Sequence, residues 1–469
     1  MKYLNSYTSA AAGLLAGLAL GANAQAQTSD PVLNALVKKG LLTEQEAKDA
    51  LAESQMQAGA LTNRIVMPRG NTTKLMLEGF IQTQAELGTA SAWEGQFPGP
   101  HSPAGDIVNS NPRIKFRRAR LGAIGEFWDD FDFKIEGDFA QKDGQTAGYN
   151  GATAKPDAFS MTDIFINYHK FEEAQFKVGQ FFAPFGYEML IPDVGPSSML
   201  LTAERSQATE SIVPERQIGA QLWGNPLAEL APAEKDLLSY RAGIFDGDNR
   251  NINVHNNSSF MYVSRIESIP FKGKLWNEDV TWRLGVNGLY SDVGAGTQIA
   301  QIGNPIVNTD GSMGTLSVLN PTRERSWGVD QTLTVGPFAV TAEYLENSLE
   351  SQNGQNIFNG TSLTGPAFPG GVNIPGRKSV VMNGFYVQPS YYIWGKKLQL
   401  VAKWESFNPG QVQYDNISTA TAGINWYIHQ QNVVAMLDYM HTWSEFRSNY
   451  AGYGPSDFNE VMLRLELFF

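Results

Sequence analysis

Residues Val461 to Phe469 alternate: Val461, Leu463, Leu465, Leu467 and Phe469 fall on one parity, Arg464 and Glu466 on the other. Successive side chains of a β-strand point to opposite faces, so such a segment has one side suited to lipid and one suited to water. That is the pattern of a transmembrane barrel strand, and an aromatic last residue is how a closing strand ends. A soluble sandwich can also finish on an amphipathic strand. Here, however, the same two-residue rhythm recurs along the chain from Thr73 onward, which a large barrel explains as one cooperative unit. The fold class expected is all-β, a transmembrane antiparallel up-and-down barrel of about 16 strands.

The amino terminus carries a matching address. Lys2 precedes an apolar, small-residue run from Ala10 to Ala22, and both Ala22-Asn23-Ala24 and Ala24-Gln25-Ala26 fit a signal-peptidase site. The expectation is a signal peptide over 1–26, cleaved after Ala24 or Ala26, and a mature chain in the bacterial outer membrane. No later segment has the roughly 18 consecutive apolar residues of a spanning helix. A chain that enters lipid without one must close into a barrel, because open sheet edges cannot be satisfied there.

Residues 27–70 read as a periplasmic helical segment and linker. Pro31 follows Asp30 as a first-turn residue follows its cap, and Val32, Leu33, Leu36 and Val37 keep helical spacing until Gly40. Thr43 with Glu46 forms a capping box that opens a second helix carrying Ala47, Ala50, Leu51 and Met56. The pair is either a plain tether or a device that self-associates or touches peptidoglycan. Gly59 to Gly70 reads as linker, and the barrel is expected over 71–469.

Within the barrel, Lys74, Met76, Glu78, Phe80, Gln82, Gln84 and Glu86 share one face of the first strand, against Leu75, Leu77, Gly79, Ile81, Ala85 and Leu87. Tight turns at Trp128-Asp129-Asp130, Glu172-Glu173-Ala174, Gly336-Pro337, Trp394 to Lys397 and His429 to Asn432 belong on the periplasmic side. Long connections near 88–111, 143–159, 184–215, 292–322 and 351–377 belong outside. An 18-strand variant stays open, since 225–236 and 292–322 have room for another hairpin.

Read as words, several segments resemble the phosphate-selective porin O and P family. They are Phe116-Arg117-Arg118-Ala119-Arg120-Leu121-Gly122, Val178 to Glu188, Ala203-Glu204-Arg205-Ser206, Arg216-Gln217-Ile218-Gly219 and Tyr240 to Gly247, in order across about 73–250. The resemblance implies a trimeric, 16-stranded channel whose third loop folds into the pore and whose basic side chains bind oxyanions. That loop would run from Ala183 to Glu215, stiffened by Pro184, Pro192, Pro196 and Pro214 and anchored by Met189, Leu190, Met199 and Leu200. A narrow, low-dielectric constriction lets a few charges govern which ions pass. Where family members tend to carry a Lys before the Pro-Phe pair, this chain has Phe182-Ala183.

The second strand is the basic one: Arg113, Lys115, Arg117, Arg118 and Arg120, with no acid until Glu126. With Leu121, Ala123 and Phe127 toward lipid, Arg118 and Arg120 face the lumen one above the other. Arg117 falls on the other parity, so it must sit at the outer rim, in a protomer contact or beyond a bulge, because a charge on the lipid face at mid-depth costs about 2–4 kcal/mol. Guanidinium suits phosphate, sulfate or carboxylate through its planar fork of donors and its permanent charge. The candidate pore contacts are therefore Arg118, Arg120 and Arg117, with Arg205 and Arg216 as loop or rim contacts. The bland alternative is that these arginines face Glu78, Glu86, Glu136, Asp138, Asp163 and Glu204 and give a weakly selective pore. A net charge of -12 argues against a uniformly basic vestibule and against nucleic-acid binding.

The expected function is passive diffusion of small anions, phosphate or other oxyanions among them. A general porin, and a structural anchor between outer membrane and cell wall, remain alternatives. The partners expected are outer-membrane lipid, small solutes and two further copies of the chain in a homotrimer. With no Cys there is no thiolate site, and no cofactor or metal is expected; Asp246-Gly247-Asp248-Asn249 lacks the spacing of a calcium loop. Among the five His, only His441, near Ser444 and Glu445, has neighbours for nucleophilic chemistry, and their spacing matches no nucleophile motif. No enzyme activity is expected.

Overall fold

The computed structural model describes residues 39, 66–69, 73–88, 112–140, 159–194, 201–252, 257, 259–297, 304–307, 313–314, 318–365, 368–410, 413–449 and 456–469. The chain divides into two units, 1–65 and 66–469. The expected signal peptide and helical hairpin lie outside the described residues.

Sixteen strands follow one another around the barrel: β1 (Thr73–Gly88), β2 (Arg113–Phe127), β3 (Phe131–Asp138), β4 (Ser160–Tyr168), β5 (Gln175–Phe182), β6 (Arg216–Gly224), β7 (Leu238–Phe245) and β8 (Met261–Leu275). The second half is β9 (Glu278–Val293), β10 (Thr322–Val335), β11 (Phe338–Ser351), β12 (Ser379–Trp394), β13 (Leu398–Asn408), β14 (Ile417–Gln431), β15 (Val433–Ser444) and β16 (Asp457–Phe468). Each strand is antiparallel to its predecessor, and β16 pairs with β1 from Phe80↔Phe468 to Gly88↔Glu460, which shuts the sheet. Gly79 and Phe469 exchange both backbone hydrogen bonds at 2.9 Å, so the last residue is part of the closing seam.

The alternation does what the sequence predicts. On β16, Leu463, Leu465, Leu467 and Phe469 are exposed on the outside, while Arg464 and Glu466 are buried inside. On β1, Leu77, Ile81 and Leu87 face out, and Glu78, Gln82, Gln84 and Glu86 face in. Aromatics gather where such a wall meets the headgroups. At the short-turn end, Phe127 stacks on Phe131 at 5.2 Å, and Tyr168 packs on Phe131 at 5.0 Å. At the other end Trp404 lies 5.5 Å from Trp443.

Two details differ from the sequence reading. Val66–Arg69, assigned to linker, is a short strand paired with the start of β1, Val66↔Met76 to Arg69↔Thr73. It takes up the hydrogen bonds that β1 offers beyond the end of β16. The extra hairpin suspected near 292–322 exists as Asn304–Val307 with Met313–Gly314, but as a separate two-stranded sheet, and the barrel stays at sixteen. The 225–236 stretch leads into a 3-10 turn, Pro232–Leu237.

Candidate functional site: a loop clamped across the lumen

After β5 the chain turns into the barrel. Gly186 adopts φ 73, and a Cβ there would lie 2.7 Å from Val213, so the turn requires glycine. The Gly186 amide donates to Asn287 Oδ1 at 2.8 Å. One short helical turn follows, α1 (Tyr187–Leu190). Its first amides donate to the Glu343 carboxylate of β11, Tyr187 N to Oε1 at 2.5 Å and Glu188 N to Oε2 at 3.1 Å. Around this leg Phe185, Met189, Ile212 and Val213 pack with Phe245, Leu289, Leu345 and Phe407 in a dry cluster inside the barrel. The loop expected from Ala183 to Glu215 is thus folded inward; Met199, Leu200 and Pro196 lie outside the described residues.

The other leg is held by charge. Asp193 forms ion pairs with three guanidiniums: Arg205 Nη1 at 2.9 Å, Arg120 Nη1 at 3.0 Å and Arg118 Nε at 3.2 Å. Glu204 accepts from Arg117 Nη2 at 3.1 Å, from Arg464 Nη2 at 2.8 Å and from Gln84 Nε2 at 3.0 Å. Arg205 also donates to the carbonyls of Glu188 and Ile191, at 3.0 and 2.9 Å, which ties the two legs together. Ser206 caps a second helix, α2 (Gln207–Ile212), its hydroxyl accepting from Thr209 N. Lys403 of β13 donates to the Glu204 carbonyl at 2.8 Å, and Asn425 of β14 to the Leu201 carbonyl at 2.8 Å.

Burial drives the Asp193 carboxyl up, but the Arg118, Arg205 and Arg120 guanidiniums overcome it and hold the group well below the usual carboxylate range. Glu204 is buried too and is held low by Arg117 and Arg464. Glu210 on α2 goes the other way: burial outweighs Arg205, and the group is pushed up to about 7.

Arg118 and Arg120 face the lumen, opposite Gln82 and Phe80 of β1. Arg118 Nη1 donates to Gln82 Oε1 at 2.9 Å, and Arg120 Nε donates to Asp138 Oδ2 at 2.9 Å. Arg117 is the extra residue of a bulge, since Gln82 pairs with Arg118 and the next residue, Thr83, pairs with Phe116. The bulge turns its guanidinium inward onto Glu204. Arg205 joins Arg118 and Arg120 on Asp193, whereas Arg216 stands apart in a bidentate pair with Asp163, at 3.0 and 3.2 Å, stacked 3.9 Å from the Phe182 ring.

Of the acids named as partners, Asp138, Asp163 and Glu204 take arginines, Glu136 lies 3.7 Å from Arg120, and Glu86 and Glu78 take Lys115 and Lys134. Asp193 and Arg464 were not foreseen. Asp193 sits in a loop where no periodicity marks its direction, and Arg464 reads as one polar position among many. His441 points outward from β15 and shares a 2.7 Å hydrogen bond with Asn459, while Ser444 is buried on the inner face, so the two never meet.

Residues 101–469 match the phosphate-selective porin O and P family, most of the chain. The chain belongs to that family. It is an outer-membrane porin for small anions, and the proteins of this family are channels. No curated protein matches it. Among solved structures, OmpF of Salmonella typhi in complex with daunomycin is 12% identical over 86% of this chain and 100% of that one, with a TM-score of 0.51. An anion-selective porin from Comamonas acidovorans is 10% identical over 85% and 100%, with a TM-score of 0.49. The channel DcaP of Acinetobacter baumannii is 13% identical over 86% and 99%, with a TM-score of 0.46. At these identities the likeness concerns the fold.

Proposed function

We propose that this porin passes small oxyanions, phosphate among them, through the gap left beside the clamped loop, with the positive potential of Arg117, Arg118 and Arg120 favouring anions there. The observation that supports the reading is the sharing of one carboxylate, Asp193, by three guanidiniums. Five guanidiniums, Arg117, Arg118, Arg120, Arg205 and Arg464, converge on Asp193, Glu204 and Asp138, with Glu136 3.7 Å from Arg120. Arg205 and Arg216 serve chiefly to hold the loop and its exit. A planar-bilayer measurement in a salt gradient tests this. An anion-side reversal potential with phosphate block of chloride current, relieved in Arg118→Gln/Arg120→Gln, is expected; a cation-side potential in the parent protein refutes it.

A second reading, a general and weakly selective pore, is favoured by the fact that all five candidate arginines already have carboxylate partners. Chloride current unaffected by phosphate would select it.

The assembly we propose is a homotrimer. Strands β5 to β7 have 8, 9 and 8 residues, against 14 to 16 for β8 to β12. Eight residues tilted by about 45° rise only about 19 Å, short of the roughly 25 Å apolar band of such barrels, so this sector suits protein better than lipid. Its outer face carries a shallow apolar groove between Phe176, Leu222, Ile244 and Tyr262, floored by Ala220 and Ala242. For the segment before the barrel, contact with peptidoglycan is the corresponding proposal, tested by co-sedimentation of the full-length protein with cell-wall sacculi.

A further inference from the structure

The outer wall carries two arginines on the side that faces lipid. On β10 the buried residues Thr322, Glu324 and Ser326 point inward and alternate with Arg323, Arg325, Trp327 and Val329, the last three of them exposed. A charge on that side is costly at mid-depth and nearly free at the headgroups, so its depth decides what it means.

The turn between Val335 and Phe338 fixes the periplasmic end of β10, and Arg323 and Arg325 lie at the opposite end of the strand. At about 3.3 Å per residue and a tilt of about 45°, Arg325 stands roughly 23 Å and Arg323 roughly 28 Å above Val335, on either side of the limit of an apolar band of roughly 25 Å. The aromatics mark the same level. Trp327 and Tyr344, one outward step below Arg325, have ring centroids 5.2 Å apart, where such a wall meets the headgroups. Strands β8 to β12 are also the long ones, with 14 to 16 residues, so this sector is the part of the wall built to span lipid in full.

Neutral donors engage two of the neighbouring acids. Glu346 accepts from Trp327 Nε1 at 3.1 Å and from the Tyr344 hydroxyl at 2.9 Å. Asp292 accepts from the Tyr290 hydroxyl at 3.2 Å and from Gln352 Nε2 at 2.8 Å, and it lies 3.7 Å from Arg323 Nε. Glu350 stands opposite Arg323 in the pairing of β10 with β11. Arg325 stands between Tyr290 and Ser348 in the register and, among the described residues, has no hydrogen bond or ion pair.

We propose that Arg325, with Arg323 beside it, is a binding site for the phosphate of a phosphorylated lipid in the outer leaflet, whose acyl chains run down the wall past Trp327. Two residues along one strand set the two Cα atoms about 6.6 Å apart, so both guanidiniums reach one phosphate, each presenting its planar fork of donors. Below them Val329 and its partner Val286 are exposed on the same outer face and give the chains an apolar bed. The site is on the outside of the cylinder and does not depend on which solutes pass within.

The test is native mass spectrometry of the full-length protein released from detergent micelles containing either lipid A with both its phosphates or the same lipid stripped of them. The parent protein should retain the phosphorylated lipid at least about tenfold more than the stripped one. Arg323→Gln/Arg325→Gln should lose about tenfold of that retention, with heat-modifiable gel mobility reporting that the barrel is folded. Glu350→Gln removes a carboxylate beside the site and should raise the retention; it decides the matter if the double variant does not fold. Equal retention of the two lipids by the parent, undiminished retention in the folded double variant, or no rise in Glu350→Gln would each overturn the site.

Discussion

Replacing Asp193 with Asn removes the one negative charge that Arg118, Arg120 and Arg205 share within 3.2 Å, and almost nothing else changes in size. Breaking a buried ion pair by removing one partner costs about 3–5 kcal/mol. Asn keeps an acceptor oxygen and Arg120 keeps Asp138, so the lower end is expected: about 3 kcal/mol, or a factor of about 150 in the loop's docking equilibrium. The uncovered positive charge also acts on passing ions. At about 6 Å a unit charge is worth about 0.7 kcal/mol in water and about 3 kcal/mol at an effective dielectric of 20. Anion permeability relative to cation should therefore rise at least about threefold at low salt, with more current noise as the loop detaches more often. Zero-current potentials across a tenfold salt gradient read the first effect, and open-channel noise reads the second. If Asp193→Asn leaves both the potential and the noise at the parent's values, the clamp is not what governs the constriction.

The loop should also respond to pH in two windows. Because Asp193 and Glu204 are held below the usual range, their contribution is present above the unfolded carboxylate values near pH 4 and is lost only as pH falls through the lower folded values; loop docking followed by limited proteolysis should survive to below about pH 4. Glu210, pushed up to about 7, has the opposite sign: docking is strongest while it is protonated and weakens as pH rises through that value, so channel noise should grow from pH 6 to pH 8 and Glu210→Gln should flatten the rise. Glu204→Gln leaves Arg117 and Arg464 without their shared carboxylate and should make the loop protease-sensitive at neutral pH, by about 3 kcal/mol in the same equilibrium. Gly186→Ala meets both the left-handed φ of 73 and the Val213 side chain at 2.7 Å, and should lower the thermal midpoint of the folded barrel by a loss of about 1–2 kcal/mol; an unchanged midpoint would show that the turn is not strained.

Almost the whole wall was legible in the sequence, because a period of two needs only local order: the paired inside and outside sets of β1 and β16 can be read without knowing any neighbour. Arg117 was legible in a subtler way. Its parity placed a charge toward lipid, and a bulge was one of the few ways out. The clamp was legible only by halves. Glu204 and Arg117 were both marked, but Asp193 has no pattern around it, and the bond from Glu204 to Arg464 joins residues 260 apart in the chain, which nothing in local order reports. Val66–Arg69 was missed because a four-residue strand has too few alternations to rise above linker.

Glu204 reaches Gln84 on β1, Arg117 on β2 and Arg464 on β16, and so clasps the join where first and last strands meet. That join is the one that turns an open sheet into a closed cylinder. The clasp is complete only with the join made, because Arg464 comes from β16. An unsealed sheet would hence lack this clasp while the Asp193 ties to β2 remain, so the act of sealing the cylinder is also the act that completes its narrowing.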